Sequence, residues 1–306
     1  MAEIYSLKNA PSELLKASVC AFGVFDGVHK GHRFLIDEAK KEADRLQTRL
    51  IIITFDRDPD ELFRPDTLKK ISSNEERINM LCNLSADAVL VLPFTFEFAS
   101  QNPLDFLESC FGTAVPKSIH VGCDFHFGSK GAGTVETMEY WGASRGMTVR
   151  AHDLFSLAGE AVTATRIRNL LAQGNIDKAN ELLGHRYGFT SIVVKGRQEG
   201  RSMGFCTANL NLEPLYRVLA EGVYAAYALV DGARYKAALS IGVSPTFRAR
   251  TDAYCEVHLL DFSGDLYGKS LTVEIEAWLR PMIEFTSTDE LIETVLENIA
   301  WVRHNL

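Results

Sequence analysis

A chain of 306 residues is too long for one ordinary core, and its 46% hydrophobic content is enough for two domains, each with its own interior. Forty acidic residues against 32 basic ones leave a formal net charge of −8, which excludes a general electrostatic grip on nucleic acid or on an anionic membrane. Any anion must therefore be held locally.

The first half alternates. Apolar strand-like runs "ASVCAFGVF", "LIIITF", "DAVLVLPF" and "KSIHVG" are separated by stretches of helical spacing, including Gly31–Leu46 and Asn74–Leu84, a pattern that predicts parallel strands joined by crossover helices. Two further helices are expected at Thr165–Ala172 and Ile176–Leu183, the second stopped by Gly184 as a C-cap. Near "GHRYG", residues 184 to 188, the character changes. From there "TSIVVKG", "GVYAAYALV", "ARYKAALSIG", "AYCEVHLLDF" and "SLTVEIEAWL" read as strands joined by turns, and they predict a compact antiparallel barrel. Leu291, Val295, Ile299 and Val302 share one helical face between Thr288 and His304, so a final helix should pack on that barrel. The expected division is residues 1–185 and 186–306.

The six cysteines, Cys20, Cys82, Cys110, Cys123, Cys206 and Cys255, include no Cys-x-x-Cys pair and predict reduced thiols rather than a disulfide framework or structural zinc. No apolar stretch has the length of a membrane span, and the N-terminus lacks the layout of a secretory signal. These features predict a cytoplasmic protein, a monomer or weak homo-oligomer, with no nucleic-acid or membrane partner.

The segment "GVFDGVHKGH", residues 23 to 32, follows the first buried strand and opens a helix. In an open parallel sheet that junction lines the ligand crevice. Gly23, Gly27 and Gly31 let backbone approach a ligand, while the helix beginning near His29 presents unpaired N–H groups and the positive end of its dipole. His29 and His32 share a face and suit two imidazoles donating to phosphate oxygens. Two metal-bound histidines would fit the same spacing, but no third ligand is evident and the glycines favour phosphate.

These residues resemble the His-x-Gly-His signature of the nucleotidyltransferase superfamily, in the Phe-Asp-Gly-Val-His form of bacterial bifunctional riboflavin kinase/FAD synthetases. "VTATRIR" (162–168) resembles the second superfamily motif, and "VGCDFHFG" (121–128) and "LPFTFEFA" (92–99) are also similar to family segments. The resemblance implies a Rossmann-like nucleotidyltransferase domain followed by a riboflavin kinase barrel. It implies that His29 and His32 contact the ATP phosphates, that Thr163 and Thr165 bond the triphosphate, that Arg168 meets the departing pyrophosphate, and that Asp124 meets the adenosine end. Gly23, Phe25, Asp26 and Gly27 complete the implied ATP site, with Asp26 toward the Mg²⁺-nucleotide. Phe55 and Phe125 are the implied flavin contacts. Two departures are visible here: Thr163-Ala164-Thr165 stands where the family has Ser-Ser-Thr, and "FDRDP" (55–59) puts Asp58 where it has histidine.

In the second half "GRQEGRSMGFCTANLNL" (196–212) resembles the riboflavin kinase signature, and three later segments, 221–247, 255–275 and 278–291, follow the same domain in order. The resemblance implies ATP contacts at Gly196, Gly200 and Gly204, Mg²⁺ at Thr207 and Asn209, a catalytic base at Glu256 and a flavin contact at Arg280. Cys206 replaces a usual proline, Ser240 an asparagine, Ser244 an arginine and Met282 a glutamate. The implied activity converts riboflavin and ATP to FMN in the barrel, then FMN and ATP to FAD and pyrophosphate in the first domain. Two alternatives remain open at this point: an adenylyltransferase whose barrel only binds flavin, or a flavin or nucleotide sensor without turnover.

Overall fold

The computed structural model describes residues 2–64, 69–112, 114–196, 207–211, 218–243 and 254–306. They form two compact units, Met1–Ala164 and Thr165–Leu306.

The first unit is a six-stranded sheet in the order β1-β4-β3-β2-β5-β6, every pairing parallel. Its strands are β1 (Glu3–Ser6), β2 (Val19–Phe22), β3 (Leu50–Phe55), β4 (Ala88–Leu92), β5 (Ser118–Gly122) and β6 (Thr148–His152). The crossovers carry α1 (Lys30–Arg45), α2 (Pro59–Phe63), α3 (Asn74–Cys82), α4 (Phe96–Ala99), α5 (Pro103–Phe111) and α6 (Val135–Ala143), and β7 (Ser156–Leu157) pairs with β8 (Glu160–Ala161) in a small hairpin.

Burial on both faces explains the unbroken apolar runs of β2 and β3. Alternate residues feed opposite cores: Cys20, Phe22, Ile51 and Ile53 pack with α5 and α6, whereas Val19, Ala21, Leu50 and Ile52 pack with Leu35, Ile36 and Ala39 of α1. The edge strands β1 and β6 were absent from the sequence expectation because they carry mixed exposed residues rather than an apolar run. The short helices between strands escaped it too. Their starts are set by single caps, such as Asn102 before Pro103, rather than by a long amphipathic period.

The second unit opens with α7 (Ala164–Ala172, its first residue closing the preceding unit) and α8 (Ile176–Leu183), which ends at left-handed Gly184 as expected. The six strands β9 (Tyr187–Val194), β10 (Ala208–Leu210), β11 (Gly222–Val230), β12 (Ala233–Gly242), β13 (Tyr254–Leu259) and β14 (Ser270–Pro281) close an antiparallel barrel in the order β10-β13-β12-β11-β14-β9. Tyr187, Val193, Leu239, Val257, Val273 and Ile275 fill its interior. β9 starts three residues before the run that announced it. Helix α9 (Thr288–Asn305) packs on the barrel through Ile299 and Val302.

Cys20, Cys82, Cys110 and Cys255 are buried free thiols, and Cys123 is an exposed one. Among the described residues no helix is long and apolar enough to cross a membrane.

Candidate active sites

The turn after β2 is strained and locked. Phe25, Gly27 and Val28 have φ of 61°, 70° and 41°, left-handed values that are costly for phenylalanine and more so for a β-branched valine. Two clamps hold it. The Asp26 carboxylate accepts the Ile71 N–H at 3.1 Å and the Ser72 N–H at 3.2 Å, and Gly27 N–H donates to Ser72 Oγ at 3.2 Å. A Cβ on Gly27 would lie 2.7 Å from Ile71, so glycine is required there by both space and dihedral. Asp26, expected to face a Mg²⁺-nucleotide, thus sits 5% exposed with its oxygens turned to the 71–72 backbone.

His29 is the N-cap of α1: its Nδ1 accepts the His32 N–H at 3.3 Å. The two imidazoles stack with centroids 3.5 Å apart, and Phe25 meets His32 edge-on at 5.2 Å. Burial, then the neighbouring His29 and then Arg77, hold the His32 pKa well below the ordinary histidine value, so this ring is neutral at pH 7. Its Nδ1 is buried and has no hydrogen-bond partner among the described residues. The N–H groups of Lys30 and Gly31 likewise take no partner among the described residues, which leaves donors at the dipole's positive end for an incoming anion. A Cβ on Gly31 would lie 3.2 Å from the Val162 carbonyl, so the segment leading into Thr163 runs against the start of α1.

The remaining first-half candidates are spread along the sheet's carboxyl end. Asp124 is exposed and its carboxylate overlies Gly122, where a Cβ would come within 2.7 Å. Phe125 is half-buried, 5.0 Å from Phe22. The Phe55 ring is only 4% exposed and packs against Phe22 and Phe94 at 5.5 and 5.0 Å; it is a core residue. The closest approach to Gly23 also comes from a core ring, with Phe25 carbons 3.0 Å from where its Cβ would stand. Asp58 caps α2 in a reciprocal capping box with Glu61, and burial pushes its pKa up to about 6. In the second unit, Arg168 of α7 donates to Thr165 Oγ1 at 3.3 Å, one turn back on the same face.

The barrel site is a product of register. Asn209 lies opposite Glu256, Glu256 opposite Ser240, Ser240 opposite Val223 and Val223 opposite Arg280, so one cross-strand row runs over four strands and the end of β14. Opposite residues share a face, and Thr207 lies just before β10, two residues ahead of Asn209. The Asn209 amide rests on Gly196, where a Cβ would lie 2.1 Å from its nitrogen; any side chain there would evict it. Arg280 donates to Asn298 of α9 at 3.0 Å and to the Pro281 carbonyl at 3.1 Å. Two of the departures from the resembled pattern meet: Ser240 Oγ donates to Met282 Sδ at 3.9 Å. Gly200, Gly204, Cys206 and Ser244 lie outside the described residues.

One residue that the sequence reading missed is central. Arg77, 2% exposed, donates from Nη1 to the Val24 carbonyl at 2.9 Å and Thr54 Oγ1 at 2.6 Å, and from Nη2 to the Phe55 carbonyl at 2.7 Å. The available signal was its place four residues before the core residue Leu81 in α3, which puts an arginine on the buried face.

Comparison with known proteins supplies the family. Residues 12–166 match the FAD synthetase family model and residues 183–306 match the riboflavin kinase model. A bifunctional riboflavin kinase/FMN adenylyltransferase of Pseudomonas fluorescens is 32% identical over 290 residues, covering 94% of this chain and 93% of the relative. One from Bacillus subtilis is 33% identical over 295 residues, covering 93% and 92%. The crystal structure of a macrolide-efflux protein from Streptococcus pneumoniae aligns over 99% of both chains with a TM-score of 0.85 at 28% identity. With both domain models in order along one chain and full-length relatives at this identity, the chain belongs to the family of bifunctional riboflavin kinase/FMN adenylyltransferases.

Proposed function

We propose that this protein makes FAD in two steps, phosphorylating riboflavin with ATP in the barrel and adenylylating the FMN so formed with a second ATP in the parallel-sheet domain. The observation that carries the reading is the presence of both family matches, in order, in one chain. We assign residues 1–185 to adenylyl transfer and 186–306 to phosphorylation.

In adenylyl transfer an FMN phosphate oxygen bonds to the α-phosphorus of ATP and the bond to the β-phosphate oxygen breaks, releasing pyrophosphate. No covalent nucleophile is needed, only alignment and neutralisation of charge. The open Lys30 and Gly31 N–H groups and the His29 and His32 imidazoles suit the triphosphate. His32, kept neutral, donates one N–H without repelling a neighbouring imidazole. Thr163, Thr165 and Arg168 bind the outer phosphates, and Asp124 the adenosine. Phe125 is the better-placed flavin contact, since the Phe55 ring is enclosed in the core.

In phosphorylation Glu256 accepts the proton of the riboflavin 5′-hydroxyl as its oxygen bonds to the γ-phosphorus and ADP leaves. Thr207 and Asn209 present oxygen donors two residues apart, with the Asn209 amide seated on Gly196. Hard oxygen ligands of this kind fit Mg²⁺. The ion would neutralise phosphate charge; Thr207 and Asn209 would hold it.

The test is direct. Purified protein supplied with riboflavin, ATP and Mg²⁺ should accumulate FMN and then FAD, resolved by chromatography. FAD formed only from supplied FMN would reduce the barrel to a flavin-binding module, and tight flavin binding without either product would overturn the reading.

A further inference from the structure

We propose that Arg77 is a positioning residue for adenylyl transfer, one that sets the separation between the strained turn at 25–28 and the 56–58 loop by bolting together the carboxyl ends of β2 and β3.

The geometry singles out that role. Val24 follows β2 and directly precedes the strained turn, while Phe55 is the last residue of β3 and leads into the 56–58 loop. One guanidinium spans both: Nη1 holds the Val24 carbonyl and Nη2 the Phe55 carbonyl. Thr54 makes the tie a triangle, accepting from Nη1 at 2.6 Å and donating its own hydroxyl to the Val24 carbonyl at 3.2 Å. Nη2 also reaches Asn74 Oδ1 at 3.4 Å, and Asn74 opens α3 right after the 71–72 segment that clamps Asp26. The same cation therefore fixes the turn from two directions.

The choice of arginine needs an explanation beyond carbonyl satisfaction. Burying a cation costs several kcal/mol before pairing, and among the described residues no carboxylate forms an ion pair with this one. Its direct partners are two carbonyls, a hydroxyl and an amide oxygen, while Asp58, Asp26, Glu61 and Asp56 act on it only through longer-range attraction. A planar fork with fixed angles between its N–H vectors constrains two strand ends in a way that a flexible lysine or a single-point donor does not. A reaction between two bound phosphates is sensitive to such placement: an error of about 1 Å costs on the order of 10²-fold in rate.

The inference rests on the adenylyl-transfer reading. Its test is a steady-state comparison of Arg77→Met, Arg77→Lys and Thr54→Val for FAD formation from FMN and ATP, with riboflavin phosphorylation by the same preparations as the control for an intact protein. In Arg77→Met the turnover number should fall about 10²-fold, with the KM for ATP and FMN each changed less than about threefold and FMN formation unaltered. Arg77→Lys should recover little, since charge without the fork does not set the spacing. Thr54→Val, which removes one corner of the triangle and leaves the arginine, should lose turnover about tenfold; it decides the matter if Arg77→Met does not fold. Unchanged turnover in the folded variants, a loss confined to KM, or full recovery by lysine would each overturn the proposal. A wild-type protein that makes no FAD from FMN and ATP would instead strike the functional reading itself.

Discussion

The two sites are built by opposite means. In the parallel-sheet domain the turn proposed to hold the nucleotide is a strained loop kept in place by residues distant in sequence: Asp26 by Ile71 and Ser72, Val24 by Arg77. In the barrel, Asn209, Glu256, Ser240 and Arg280 are brought into one row by strand register. The first site is preorganised by tertiary closure and should respond to mutations far from the substrate. The second is aligned by the ladder and should respond to changes in the row and in the residues that touch it, such as Gly196 and Asn298.

The sharpest separation comes from the residues proposed to act in each step. Glu256→Gln should lower FMN formation about 10²–10⁴-fold, the range of a general base, while FAD formation from supplied FMN continues. His32→Ala should reverse that outcome, with FAD formation down about 10²–10³-fold and FMN formation retained. Product chromatography with each substrate reads both, and loss of the two activities together in a well-folded variant would contradict the division of labour.

A smaller effect probes the cradle under Asn209. Gly196→Ala places a methyl where the amide now rests, so half-maximal FMN formation should need about tenfold more Mg²⁺, equivalent to roughly 1.4 kcal/mol; a Mg²⁺ titration measures it, and FAD formation from supplied FMN is the internal reference.

The smallest effect is acid lability confined to one domain. His120 donates from Nε2 to Glu42 Oε2 and pairs through Nδ1 with His152 Nε2, both at 2.8 Å, under α1. Burial lowers the pKa of His120 and of His152, as it does that of His32. The unfolded chain therefore binds more protons than the native one as pH falls below about 6.5, and stability is lost in that direction at up to about 1.4 kcal/mol per pH unit for each histidine. Thermal melts from pH 7 to pH 5 should show the parallel-sheet domain falling by a few degrees, and His120→Gln should flatten its slope.

How much of this was legible in the sequence follows from the same contrast. Buried strands such as Leu50–Phe55 and amphipathic helices such as Ile176–Leu183 have the right bounds because period and caps are local signals. The turn after β2 was legible as a candidate site because three glycines and two histidines fall within ten residues at a strand–helix junction. The roles of Arg77 and Asp26 were not, since each depends on a partner brought in by the fold, and Phe55 looked like a flavin contact until packing enclosed its ring. In the barrel the alternation of buried and exposed residues marks the strands, but which residue of one lies opposite which of the next follows only from the pairing. That is why Ser240 and Met282, two separate departures along the chain, turn out to be neighbours.

The sheet order also governs when the turn after β2 can form during synthesis. β2 lies at the centre, flanked by β3 on one side and β5 on the other, with Val19 paired to both Leu50 and Ser118. Long-range parallel pairing of this kind is slow to assemble, so a nascent chain must leave the ribosome past residue 118 before its central strand gains both neighbours. Until then the apolar β2 strand that precedes His29 and His32 lacks one of its two neighbours, leaving exposed surface of the kind that invites aggregation.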